Sequence, residues 1–354
     1  MEETEVLVIG QGLAGTCLSW WLHQAGISFK VIDRPDLNSA SMRAAGLINP
    51  ITGRRLVKTW MIEELLPFAE NMYREMGILL GESLVSGVSL IDIFPSVQML
   101  QAFMERYKED PSYLLPGDDR EKYAGSFRYE LGWGSIQPCL LVYVERLLLL
   151  WRRWLKQNGH LTESQFEIKK LALDENEINY SYVHARHILF CDGFSSARNP
   201  WFENLPFAPN KGEGLLLEIK NLDASLVYKK GMSLIPYRKD IFWLGSSYEW
   251  TFENDQPSEN FRKNAESWLN NSLKLPFTIM EHFAAIRPAT LERRPFVGFH
   301  PLYPQIGILN GFGTKGCSLA PYFAKQIVDR IKGKGEIHPL ADIKRFEKIL
   351  TRQQ

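Results

Sequence analysis

The stretch Val6-Leu7-Val8-Ile9-Gly10-Gln11-Gly12-Leu13-Ala14-Gly15 decides the fold: an apolar run enters a G-x-G-x-x-G turn, and an acid, Asp33, closes the next apolar run. Each glycine has its own task. Gly10 permits the tight turn, Gly12 lets backbone approach a pyrophosphate, and Gly15 lets the following helix pack closely on the strand. The first amides and positive dipole end of that helix favour an anion without any lysine. Trp20, Trp21 and Leu22 carry the helix to a C-cap predicted at Gly26, and Phe29-Lys30-Val31-Ile32 forms the second strand. Asp33 accepts from both hydroxyls of an adenosine ribose and repels a 2′-phosphate, so NADP is disfavoured. A glycine turn that merely closes a surface loop does not require strand, turn, helix, strand and acid in this order. The fingerprint by itself does not separate FAD from NAD.

The 354 residues suffice for two domains or one large interrupted domain. Basic and acidic residues balance at 41 each, so no global field recruits nucleic acid or an anionic membrane, which points to a small ligand. Glu2, Glu3 and Glu5 lead into the first strand without a signal-peptide pattern, and a cytoplasmic location is expected. Cys17, Cys139, Cys191 and Cys317 form no C-x-x-C pair and are expected to be free, buried thiols. The longest apolar run, Cys139 to Leu155, contains Glu145, Arg146, Arg152 and Arg153. It predicts an amphipathic domain helix stopped at Asn158-Gly159, not a membrane span.

Beyond the opening unit, Ser39 to Pro50 is a small-residue loop that permits close backbone approach, and Leu65, Ala69, Met72, Tyr73 and Met76 mark a helix ending near Gly77. Strands are predicted at 166–173, 178–183 and 187–190, the last closing on Cys191-Asp192-Gly193. Residues 211–249 read as antiparallel strands, 261–273 as a helix, and 306–332 as strand, glycine loop and helix. The chain thus visits two domains in turn: 1–77, 137–205 and 290–354 form a nucleotide-binding domain, and 78–136 and 206–289 form a substrate domain.

In this order the pieces resemble the FAD-dependent D-amino acid oxidase superfamily, most closely its glycine oxidase and sarcosine oxidase branch, over nearly the whole chain. The most specific part is Ile286-Arg287-Pro288-Ala289-Thr290-Leu291-Glu292-Arg293-Arg294-Pro295-Phe296-Val297-Gly298-Phe299-His300-Pro301, similar to an R-P-x-T-x-D-x-x-P-x-x-G-x-H-P segment with Glu292 at the acid. Asn310-Gly311-Phe312-Gly313-Thr314-Lys315-Gly316-Cys317 is similar to the family's closing glycine loop, and Ser41 to Gly46 to its second FAD contact. The resemblance implies an α/β FAD-binding domain, Rossmann-like and of glutathione-reductase type, interleaved with an α+β substrate domain on an antiparallel sheet. It implies FAD contacts at Gly10, Gly12, Leu13, Ala14, Gly15, Asp33, Arg34, Ser41, Arg43, Ala44, Ala45, Gly46, Gly193, Gly311, Gly313, Thr314, Lys315 and Gly316. It also implies oxidation of the C–N bond of a small amino acid or N-substituted amine by hydride transfer to flavin, hydrolysis of the imine, and reoxidation by O2 or another acceptor.

By the same resemblance Arg287 holds a substrate carboxylate, a task suited to a planar and permanently charged guanidinium. The alternative is that Arg287 pairs with a local acid such as Glu292 and only pins the loop. Lys315 is a candidate catalytic charge for oxygen reduction, against a solvated loop lysine. Tyr237 and Trp243 are candidate substrate-pocket walls, against ordinary core packing. The R-P segment lacks the cysteine through which sarcosine oxidases attach flavin, so FAD is expected to be noncovalent; no metal is expected. Two other functions compete. One is the oxidase domain that acts on a carboxymethylaminomethyl group of the tRNA wobble uridine, which the balanced charge disfavours. The other is a non-catalytic flavin-binding protein.

Overall fold

The computed structural model describes residues 2–174 and 177–352. Strand Glu2–Ile9 pairs in parallel with Phe29–Asp33 on one side and Val183–Phe190 on the other. Its second half, residues 6–9, is apolar on both faces because both are covered. Val6 and Val8 pack with helix residues Cys17, Leu18, Trp151 and Phe323, whereas Leu7 and Ile9 pack with Ile188, Phe190, Phe202 and Ile308. Strand Ile306–Asn310 joins Val183–Phe190 in parallel, completing the centre of a sheet that has eight strands among the described residues. Helices Leu13–Gln24 and Gly316–Ile331 lie against each other on one face, so the N-termini of both reach the same edge of the sheet.

The second sheet has nine strands among the described residues. At one end Thr278–Arg287, Asn210–Glu218, Ile241–Gly245 and Met232–Arg238 pair antiparallel in that order. Helix Glu259–Ser272, capped by the Ser258 side chain on the Phe261 amide, covers one face through Phe261, Ala265 and Leu269. The opposite face carries Trp243 and Phe283, which pack in a separate cluster.

Two local expectations are corrected. Cys139–Val142 is not helical: it ends the strand Trp133–Val142, and the helix is Val144–Gln157. The reason is partnership, since these residues pair antiparallel with Val85–Val88, which overrides their helical spacing. This segment and the short strand Leu47–Ile48 both pair into the antiparallel sheet. Ile168–Lys170 forms a 3₁₀ turn, leaving only Leu171–Leu173 as strand. All four cysteines are free and buried. No described helix is long and apolar enough to cross a membrane.

Candidate active site

The two sheets enclose a cavity of about 1600 Å³. At one end lies the first turn, where the glycines are required by space. A Cβ on Gly15 would lie 1.8 Å from the Gly10 carbonyl oxygen, and one on Gly10, whose φ is +96°, 2.7 Å from that of Cys191. Gly12 faces Ser41, whose Oγ accepts from the Leu13 amide at 3.0 Å. The second loop is thereby tied to the first turn, and Ser41, Arg43, Ala44, Ala45 and Gly46 line the same cavity as Gly10, Gly12, Leu13 and Ala14.

Asp33 and Arg34 also line it. The Asp33 carboxylate accepts from the Gln11 amide at 2.9 Å and lies 2.6 Å from Arg152 Nη1. Arg152 further bonds the Gln11 side chain at 3.0 Å and Glu163 at 3.0 Å, while Glu163 meets Lys156 at 2.8 Å. Asp33 is therefore held in place with its charge compensated. The repulsion of a 2′-phosphate, argued from Asp33 alone, is correspondingly offset by Arg152. Gly193, Gly313, Thr314 and Gly316 complete this part of the wall, the last three just before or at the start of helix Gly316–Ile331. Two helix N-termini and their preceding turns thus converge on one cavity, which suits a ligand with a pyrophosphate. Gly15 and Gly311 do not line the cavity but shape its turns, Gly311 with φ +79° and the Thr290 methyl 2.6 Å from where its Cβ would be.

Asp192 is the unexpected group here. It lines the cavity beside Gly10, accepts from Ser196 Oγ, and has its carboxyl pushed up to about 6 by burial. No ion pair reaches it among the described residues.

The other end of the cavity is made by the antiparallel sheet. Arg287, at the end of strand Thr278–Arg287, donates through Nη1 to Asn210 Oδ1 at 2.7 Å and to the Ser247 carbonyl at 3.3 Å, and lies 5.4 Å from the Tyr248 ring centre. Its guanidinium lies flat on Gly212, where a Cβ would come within 1.7 Å of Nη2. Phe283 and Trp243 use Gly214 and Gly245 in the same way, with hypothetical Cβ contacts of 2.7 Å at each. Three glycines on two adjacent strands therefore let three large side chains fold over the sheet as a wall. Burial pushes the Arg287 guanidinium below its ordinary value. The alternative partner is engaged elsewhere, since Glu292 pairs with Arg345 at 3.1 Å, and among the described residues no carboxylate pairs with Arg287.

Trp243 lines the cavity and donates to the Arg43 carbonyl at 3.1 Å. Arg43 in turn pairs with Glu281 at 2.8 Å and lies 5.2 Å from the Phe283 ring centre, joining the second loop to the substrate-side sheet. Tyr237 is placed differently from its expected role. It does not line the cavity, and its hydroxyl donates to Glu145 at 2.8 Å. Lys315 caps helix Gly316–Ile331 through its backbone, but its side chain is not part of the cavity lining. Its ammonium is lowered by burial and then by the neighbouring charges of Arg294 and Arg293. Among the described residues no group of three or more His, Cys, Asp or Glu side chains could hold a metal ion.

Four residues of this candidate site are not among those expected from the sequence: Gln11, Arg152, Asn210 and Asp192. Asp192 had a signal in its position directly after a strand end that faces the turn. Arg152 and Asn210 had none, because they meet Asp33 and Arg287 across 119 and 77 residues of chain.

The family model described as FAD dependent oxidoreductase matches residues 5–330. A glycine oxidase from Pseudomonas aeruginosa is 24% identical over 358 residues, spanning 94% of this chain and 96% of the relative. Among solved structures, a glycine oxidase from Bacillus cereus superposes with a TM-score of 0.80 at 17% identity, covering 99% of each chain. An L-proline dehydrogenase from P. horikoshii superposes with a TM-score of 0.77 at 15% identity, covering 98% of each.

Proposed function

The chain belongs to the DAO family of FAD-dependent oxidoreductases, and on that premise we propose that it oxidises the C–N bond of a small amino acid or N-substituted amine whose carboxylate docks on Arg287. FAD, held without a covalent bond, supplies the hydride acceptor when bound. The residues of the turn at Gly10 to Gly15, the Ser41 loop, the Asp33–Arg152 pair and the glycine loop before helix Gly316–Ile331 would hold it. The imine product hydrolyses in water, and O2 or another acceptor takes up the electrons.

One observation carries the substrate reading. Arg287 is a partly buried guanidinium in the cavity wall, with no carboxylate partner among the described residues, held by one amide oxygen and one backbone carbonyl. A buried cation without a counter-charge is costly, and a ligand carboxylate supplies that charge. Two parallel donors would fix the carboxylate plane and hence the direction of the adjacent C–H bond. The glycine oxidase and L-proline dehydrogenase similarities agree with an amino-acid-sized substrate.

The test is anaerobic absorbance of the purified holoprotein during titration with glycine, sarcosine, D-amino acids, proline and aminomethyl-uridine derivatives. A carboxylate-bearing amine is expected to bleach the flavin, with kcat/KM lowered about 10²–10³-fold in Arg287→Ala. Equal bleaching by the parent and Arg287→Ala would overturn the carboxylate reading.

A further inference from the structure

Strand Asn210–Glu218 has a second face, away from the glycines that accept Arg287 and Phe283. That face carries Lys211 and Glu213, which are 4% and 0% exposed. An ion pair so deeply buried needs more than its own attraction to persist. Here the surroundings supply it. Glu213 Oε2 accepts from the Ser258 amide at 2.7 Å and lies 2.9 Å from His282 Nε2, while Oε1 lies 3.3 Å from Lys211 Nζ. Burial pushes the Glu213 carboxyl up, but the Ser258 amide and Lys211 outweigh it and hold it below its ordinary value.

The backbone of the same two residues grips the irregular segment that leaves strand Ile241–Gly245. The Glu213 amide donates to Ser247 Oγ at 2.9 Å, and the Ser247 amide donates to the Glu213 carbonyl at 3.2 Å. Lys211 and Glu249 exchange backbone hydrogen bonds of 2.9 and 3.0 Å. Residues 247–258 are thus tied to this pair near their start and, through Ser258, at their end. The early part of the segment is what touches Arg287: the Ser247 carbonyl accepts from it, and the Tyr248 ring lies beside it.

We infer that Glu213 is a positioning residue for carboxylate recognition: it holds residues 247–258 at both ends, and so sets the Ser247 carbonyl and Tyr248 ring that orient Arg287, without touching the cavity. This rests on the reading that Arg287 receives a substrate carboxylate. The strand transmits the effect because successive side chains point to opposite faces, so Glu213 and the Arg287 platform at Gly212 are adjacent in sequence but on opposite sides of the sheet.

Glu213→Gln keeps an acceptor for the Ser258 amide and removes the charge that Lys211 and His282 face. The holoprotein is titrated with acetate, a bare carboxylate, and binding is read from the flavin difference spectrum. Acetate affinity is expected to fall about tenfold in Glu213→Gln, with FAD content unchanged and limited proteolysis within residues 247–258 accelerated. Lys211→Met provides a second perturbation of the same cluster, with the same expected direction, should the first variant fold poorly. Met76→Ala, a core change at a residue 0% exposed on helix Ile62–Leu80 and outside the cluster of Trp243 and Phe283, controls for loss of stability and should leave acetate affinity unaltered. If Arg287→Ala abolishes the acetate response while Glu213→Gln and Lys211→Met match the parent, the positioning role fails and the carboxylate reading stands. If Arg287→Ala binds acetate like the parent, the carboxylate reading itself fails.

Discussion

At the turn between Gly10 and Gly15 the groups proposed to meet an anion are backbone amides from one short stretch, whereas at Arg287 the proposed groups are side chains set in place by strands Asn210–Glu218 and Thr278–Arg287 and the Ser247 segment. The first end is specified by the conformations that glycine permits. The second is specified by which side chains happen to lie across a sheet. Glycine serves both ends in different ways. Gly15 makes room for backbone of its own turn, whereas Gly212 makes room for a guanidinium 75 positions away in sequence, since Arg287 lies on it.

The sharpest way to break this comparison is to add one methyl group at each end. Gly15→Ala drives a Cβ to 1.8 Å from a backbone oxygen, which only movement of the turn relieves. Purified Gly15→Ala is expected to lack flavin absorbance and to lose roughly 3 kcal/mol or more of stability. Gly212→Ala meets the movable end of a side chain instead, and is expected to retain FAD while acetate affinity falls about 100-fold. Full FAD content in the first variant, or unchanged acetate binding in the second, would remove the distinction.

A smaller effect is expected at Arg152, where the cofactor end does depend on a side chain. Arg152→Met leaves Asp33 without its partner, and equilibrium dialysis should show FAD affinity reduced about tenfold. An affinity equal to the parent's would mean that the Gln11 amide alone orients Asp33.

Asp192 sharpens the comparison through pH. Its carboxyl titrates at about 6 in the folded protein against an ordinary 3.8. Between those values the unfolded chain has released the proton that the folded one retains, so stability falls as pH rises from about 4 to about 6, and the loss persists above that window. The penalty is on the order of 2–3 kcal/mol at neutral pH. FAD-free Asp192→Asn is therefore expected to melt higher than the parent at pH 7.5 and at the same temperature near pH 4. A constant difference at both pH values would exclude this carboxyl as the source.

The smallest effect is expected at Lys315, whose side chain does not line the cavity. Lys315→Met should change the rate of flavin reoxidation by O2 less than about twofold. A large decrease would show that its charge reaches the flavin without contact.

These contrasts also explain what was legible in the chain. The first turn could be read because Gly10, Gly12 and Gly15 act at fixed offsets on a strand and helix that are themselves apolar in pattern. Cys139–Val142 was misread because its apolar spacing fits a helix equally well, and only pairing with Val85–Val88 makes it a strand. Tyr237 and Trp243 looked equivalent as aromatic residues on predicted strands. Strand register turned Trp243 to the cavity and left Tyr237 on Glu145.

The sequence by itself determined the nucleotide-binding unit and the family, because each depends on residues near one another or on a motif of fixed spacing. Only the tertiary structure decided that Arg152 compensates Asp33, that Glu292 pairs with Arg345 while Arg287 meets Asn210, and that Glu213 grips residues 247–258. Those are meetings between distant segments, and which side chains meet is set by how strands pair and helices pack, which no local spacing encodes.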